Sequence, residues 1–392
     1  MIEGAATAGA DATGAGAAFM ARERAALESA LPGLNARALE LPLLEREKED
    51  SGLIAAFRDV GGPGLLVPAT HSGIGLTAVD AVRVHRALGA LSPSLAVAVT
   101  MHNFSIATLV EVSRGSDGME WFLLEAVASD NRLVASGFAE GRPGQGILAP
   151  VMTATRNGSK VTMSGSKKPC SLSASMDMLT ASFRMVDGDE EKLAVAMIPA
   201  SSPGLERKPF WSTWVLAGAE SHEVILNDVE IDEQLVIVTD TEVGDGGMSD
   251  LDARGLLWFE LLITASYVGV ASALVERALE SGKGSPAERV APAMELEACV
   301  AALEGVARGL DADEPAADLL RRGMLVRYAS HEAVSRSVRG AAETLGGMAF
   351  IGSSEVAYLI AAAHALALHP PSRTRMWAPL ADALQGAPLK VD

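Results

Sequence analysis

Apolar residues recur at spacings of three and four through RERAALESALPGLNARALELPLLEREKEDSGLIAAFRDV, which predicts helices in the first third of the chain. GGPGLLVPATHSGIGL, with five glycines and two prolines, interrupts them. The helical period returns in TAVDAVRVHRALGAL and SPSLAVAVTMHNFSIATLVEVS. Ser92 is placed to cap the second of these, with Pro93 at the first helical position. From about residue 132 the pattern shortens and begins to alternate. LVASGFAEG, TATRNGSKVTMSG, MLTASFRM, KLAVAMIPA and HEVILNDVEI read as strands, and NGS at 157–159 as a hairpin turn.

After about residue 250 long helical periods predict a bundle at 251–281, 287–309, 314–345 and 353–368. SGKGSPAE, GLDADEP and the Gly346-Gly347 pair separate its helices, and Pro370-Pro371 end the last one. The predicted fold class is therefore α+β, mostly α. A helical domain spans 1–131, with an Ala/Gly-rich start at 1–20 expected to be frayed; a β-domain spans 132–240, and a helical bundle 241–392.

Composition narrows the function classes. The 392 residues are 49% hydrophobic and 21% charged, enough for a large core. A net charge of -18 argues against nucleic acid and anionic membranes as partners. The run 256–275 is long enough to span a bilayer, but it holds Glu260 and lacks basic flanks, so a core helix is expected. The start has no basic n-region before an apolar run, unlike a secretory signal. Two cysteines, Cys170 and Cys299, fit a reducing cytoplasm, and the seven scattered histidines suggest no metal site.

Three stretches carry candidate chemistry. Glu260 is the lone acid of an apolar helix, which makes it a candidate base or the partner of a buried arginine. The Gly-rich loop SGFAEGRPGQG is either an ordinary connection or a cradle for phosphate or a flavin edge, and GGMAFIG presents the same choice. LHPPSRTR hangs a histidine, a serine and two arginines on the end of a buried helix, without a carboxylate.

In order and spacing, VPATHSGIGLTAVDAVRVHRALGALSPSLAVAV, ASGFAEGRPGQG, VTMSGSKKPCSLSASMDMLTAS, ESHEVILNDVEIDEQLVI and ETLGGMAFIGSSEVAYL resemble the acyl-CoA dehydrogenase superfamily. The resemblance implies an N-terminal helical domain, a central β-barrel-like domain and a C-terminal four-helix bundle. It also implies FAD as cofactor and a homodimer or dimer of dimers. It places Phe138, Ala139, Glu140 and Gln145 in the flavin loop, and Ser171 on the flavin beside Pro169 and Cys170. Glu343, Gly346 and Gly347 fall at the cofactor's adenosine end, with Arg289 or Lys283 in place of the missing pyrophosphate grip.

Members of that family remove an α-proton with a carboxylate while flavin takes a β-hydride. Here Pro370 stands at the usual glutamate, leaving Glu260 as the expected base, with His369 and Ser372 flanking the site. The expected activity is oxidation of a C–C bond in an acyl-CoA or acyl-carrier-protein thioester, with electrons passing to an electron-transfer flavoprotein or O2. The absent glutamate keeps two alternatives open. One is a two-component flavin monooxygenase using reduced flavin and O2; the other is a flavin-free relative that acts as a binding partner.

Overall fold

The structure, a computed structural model, describes residues 16–114, 118–142, 149–187, 190–242 and 248–391. Most of the Ala/Gly-rich start and the expected flavin-loop residue Gln145 lie outside them. Five short helices open the fold: α1 (Gly16–Phe19), α2 (Ala21–Ala30), α3 (Leu34–Leu39), α4 (Leu43–Arg46) and α5 (Leu53–Asp59). Three longer ones follow, α6 (Ala78–Leu91), α7 (Pro93–Ser113) and α8 (Met119–Ser129). Ser92 caps α7 as predicted: its hydroxyl accepts the Leu95 N–H at 3.3 Å and satisfies a donor without an intrahelical partner.

The strands are β1 (Val134–Gly137), β2 (Thr153–Asn157), β3 (Lys160–Cys170), β4 (Met178–Asp187), β5 (Glu190–Pro199), β6 (Leu205–Lys208), β7 (His222–Asp232) and β8 (Val236–Glu242). They form one sheet in the order β6-β7-β3-β2-β4-β5-β8, with β1 added to β4 in parallel. The hairpin falls where NGS predicted it. Asn157 pairs with Lys160 across a turn in which Gly158 takes φ 63°, a conformation that favours glycine.

The C-terminal helices are α9 (Asp250–Glu280), α10 (Pro286–Asp311), α11 (Ala316–Leu345), α12 (Gly347–Gly352), α13 (Ser354–Ala363) and α14 (Arg373–Leu384). α9 is the axis of the molecule and packs against α6, α7, α10, α11 and α13. Both α7 and α9 are long and apolar enough to cross a bilayer, and the most apolar stretch of α9 is wholly enclosed by protein.

Two buried histidines stitch these layers together. His102 Nδ1 accepts the Val134 N–H at 3.0 Å, so Nε2 carries the proton and donates to Pro63 O, also at 3.0 Å. His85 Nε2 lies 2.9 Å from the Asn103 amide nitrogen, and its Nδ1 lies 3.2 Å from both Ser266 and Thr100 hydroxyls. Burial pushes His102 down from 6.5 to about 4 and His85 to about 3. Below pH 6.5 the unfolded chain therefore takes up protons that the folded protein refuses, and stability falls as pH drops. Each histidine contributes a slope of about 1.4 kcal/mol per pH unit across that window. Urea unfolding between pH 7 and 4.5 should show the decline, and His102→Gln should flatten it; an unchanged slope in that variant would contradict this account.

Candidate active site

α7, α9, the sheet and the turn after α13 enclose a cavity of about 510 Å³. A volume of this size, with apolar walls and a few hydroxyls, suits a small-molecule or cofactor site. α7 contributes Met101, Phe104 and Ser105, and α9 contributes Gly255, Leu256 and Phe259. The sheet side presents Ser136, Phe138, Ala139, Pro169, Ser171 and Thr180, with Val195, Met197 and Ile237 as an aliphatic end. Phe104 packs on Phe138 at 5.8 Å and edge-on to Phe259 at 5.4 Å between ring centroids.

The polar groups of the sheet wall hold one another. Ser171 and Ser221 hydroxyls lie 2.9 Å apart, and the Thr180 hydroxyl donates to Ala135 O at 3.0 Å. Phe210 and Trp211 reach the cavity from the loop before β7, where the Trp211 indole N–H donates to Val215 O at 2.9 Å.

Among the described lining residues the acid is Asp252, and it belongs to the start of α9: the Ser249 hydroxyl donates to its carboxylate at 2.7 Å. Among the described residues that line the space, no other acid is present. His369 does line it, with its ring Nε2 2.8 Å from the Tyr267 hydroxyl. Burial and the nearby Arg327 guanidinium push its imidazole down to about 3, so it is neutral at physiological pH.

Of the expected site residues, Phe138, Ala139, Ser171 and His369 come together in this cavity, along with Pro370. Glu260 does not. It is fully buried and forms an ion pair with Arg327 on α11. The expectation that Glu260 is the base is corrected by helical phase. Phe259 faces the cavity, and one residue further along the helix the side chain turns away by about 100°.

Glu140 also turns away from the cavity, accepting the amide N–H groups of Val151 and Met152 and the ammonium of Lys167. Glu343 and Gly347 are exposed at the end of α11, with Gly346 between them, and none of the three lines the cavity. Ser372 precedes α14, outside the cavity lining, with its hydroxyl 3.3 Å from that of Thr374. Lys283 donates to Leu345 O, and Arg289 to the carbonyls of Gly282, Lys283 and Gly284, so both cations close helix ends.

Sequence reading missed Phe104, Tyr267 and Arg327. Arg327 left one signal: it stands three residues after Met324 and seven after Leu320, on the buried stripe of α11.

No family model matches the chain. Isobutylamine N-hydroxylase of Streptomyces viridifaciens is 46% identical over 365 residues, covering 92% of this chain and 96% of that protein. The chain belongs to the family of this N-hydroxylase. The putative acyl-CoA dehydrogenase YdbM of Bacillus subtilis (strain 168) is 26% identical over 232 residues, 58% of this chain and 57% of that protein. Among solved structures, FMN-bound TdsC from Paenibacillus sp. A11-2, a dibenzothiophene monooxygenase, shares the fold with a TM-score of 0.82 at 17% identity, covering 94% of this chain and 99% of that one.

The acyl-CoA dehydrogenase-like fold is thus established, and the protein is a flavin-dependent oxidoreductase. The expected oxidation of an acyl thioester is overturned. The relative that matches almost the whole chain is an amine N-hydroxylase, and among the described lining residues the acid, Asp252, is engaged by Ser249 at the start of α9. The monooxygenase alternative replaces it.

Proposed function

We propose that this protein is a flavin-dependent monooxygenase that hydroxylates the nitrogen of a small aliphatic primary amine. The observation that carries this is the 46% identity to isobutylamine N-hydroxylase along nearly the whole of both chains. The cavity's chemistry supports it. An alkylammonium ion, with a pKa of about 10.4 in water by analogy with lysine, has no lone pair to offer. Apolar surroundings disfavour the charged form, and among the described lining residues the acid, Asp252, is engaged by Ser249. The wall therefore selects the neutral amine, the nucleophilic form. The aliphatic end at Val195, Met197 and Ile237 suits an alkyl group and gives a second charged group no partner.

The wall also fits a flavin. The Phe138–Ala139 segment and the Ser136, Ser171 and Thr180 hydroxyls would hold a flat heteroaromatic ring against the sheet, with Phe104 and Phe259 lining the helical side of the cavity. Reduced flavin, delivered by a separate reductase, supplies two electrons to O2, so that one oxygen atom joins the amine nitrogen and the other leaves as water. His369, neutral at the wall, offers a hydrogen bond to the amine, and the apolar lining keeps bulk water from the reacting nitrogen.

The test supplies isobutylamine, 18O2 and a flavin reductase with FMN or FAD in separate assays. Isobutylhydroxylamine carrying one 18O atom is the expected product. Absence of hydroxylamine with both reduced flavins, or anaerobic bleaching of bound flavin by an acyl-CoA, would overturn the proposal.

A further inference from the structure

We propose that Arg327 is a positioning residue for this reaction: with Glu260 as its counter-ion, it fixes the turn that carries His369 into the cavity. The inference deepens the N-hydroxylase reading and rests on it for what His369 faces; the geometry stands apart from that reading.

α13 runs into a 3₁₀ turn, His364–Leu368, and then into His369-Pro370-Pro371. The last carbonyls of a helix have no intrahelical donors, and two prolines supply no N–H to close them. Arg327 does this instead. Its Nη2 donates to His369 O at 2.7 Å and to Leu366 O at 3.3 Å. Its Nη1 donates to Pro370 O at 3.3 Å and to the Glu260 carboxylate. Only a planar guanidinium fork presents donors in so many fixed directions at once. The neighbouring residue Tyr328 donates to Pro371 O at 2.9 Å.

The imidazole itself is held from α9 by the Tyr267 hydroxyl at Nε2 and abuts the Phe259 ring at 6.3 Å. Its Nδ1 makes no hydrogen bond among the described residues, which leaves that nitrogen for a cavity ligand. The charged groups around it are Arg327 on α11 and, through Arg327, Glu260 on α9.

Arg327 and Glu260 are 2% and 1% exposed and neither lines the cavity. Well-packed apolar side chains of the same volume would fill this space without the desolvation that a buried ion pair entails. What an apolar pair could not do is hold three carbonyls of one turn. The pair's specific effect is therefore the placement of the His369 ring.

The test compares Arg327→Lys, the neutral double variant Arg327→Met/Glu260→Leu, and His369→Ala, with isobutylamine and reductase-supplied flavin. In the double variant, kcat for hydroxylamine should fall about a hundredfold with KM changed by no more than about twofold. Oxygen uptake should persist and peroxide release rise, as in His369→Ala. Adding His369→Ala to the double variant should bring no further loss. Arg327→Lys, which keeps the charge but not the fork, should fall in between.

The 15N signals of the His369 ring should shift or broaden in the double variant without any substrate. If that variant fails to fold, Arg327→Lys provides the same two readouts. Coupled turnover at the unmodified rate together with unchanged ring signals overturns the proposal. If even the unmodified protein makes no hydroxylamine, the functional reading fails, and the ring signals alone decide whether Arg327 positions His369.

Discussion

Replacing Lys167 with methionine should destabilise the protein by about 3–5 kcal/mol and weaken flavin binding sharply. Lys167 has no exposed side-chain surface, and its ammonium lies 2.9 Å from the Glu140 carboxylate and 3.4 Å from the Ser182 hydroxyl. That carboxylate also accepts the N–H groups of Val151 and Met152, at 3.0 and 3.1 Å. The pair thus ties β3 both to the chain entering β2 and to the segment Phe138–Ala139, which forms part of the cavity wall.

Methionine matches the length of lysine but removes the ammonium that lies 2.9 Å from the buried Glu140 carboxylate. Most of the penalty comes from breaking that buried ion pair, not from lost packing. The double variant Lys167→Met/Glu140→Gln keeps an oxygen for the two amides and removes both charges, so it should recover most of the stability. Urea unfolding and quenching of flavin fluorescence measure the two effects. A single variant as stable as the double one would show that the ion pair does not organise this wall.

Local physics explains which elements were legible in the chain. The change from a period of three and four to short alternation near residue 132, the NGS turn and the Ser92 cap each depend on a few adjacent residues, and each lies where it was read. The helix read at 314–345 is observed as Ala316–Leu345, because its apolar stripe and its breaks are both local. α14 was missed: Pro379 interrupts its period, and the two prolines before it looked like an ending.

At the site, Phe138, Ala139, Ser171 and His369, which stand in compact phrases, line one cavity. Of the two roles open to Glu260, the ion pair with a buried arginine is the one observed; the choice depends on the phase of α9 against α11, which tertiary packing sets. Its partner Arg327 is 67 residues away in the chain. The proline at 370 was the clearest functional signal, since it marked a missing base and so favoured chemistry that needs none.

Gly269→Ala should destabilise the protein although alanine is the better helix former. By propensity alone, alanine in a helix interior stabilises by about 1 kcal/mol relative to glycine. A Cβ on Gly269, however, would lie 2.0 Å from Arg86 O and 3.0 Å from Ala90 N. One on Gly89 would lie 1.9 Å from Ser266 O. α6 and α9 therefore meet backbone to backbone through two glycines, and no rotamer change can make room.

The helices must separate, which overpacking data put at about 1–3 kcal/mol in typical cases. This crossing should exceed that range, because separation also pulls on buried polar links. His85 reaches Ser266 at 3.2 Å, and Arg86 bonds Ser272 at 3.2 Å, Glu23 at 3.1 Å and Glu297 at 2.6 Å. Movement of α9 would carry Gly255, Leu256 and Phe259 with it, so the cavity wall shifts as well.

Gly305→Ala on α10 is the control, since a Cβ there meets nothing within 4 Å. It should gain the stability that propensity predicts, while Gly269→Ala loses it and hydroxylates amine more slowly. If both variants gain stability, the two helices have slack between their backbones, and α9 is not the rigid wall that the placement of Phe259 and His369 requires.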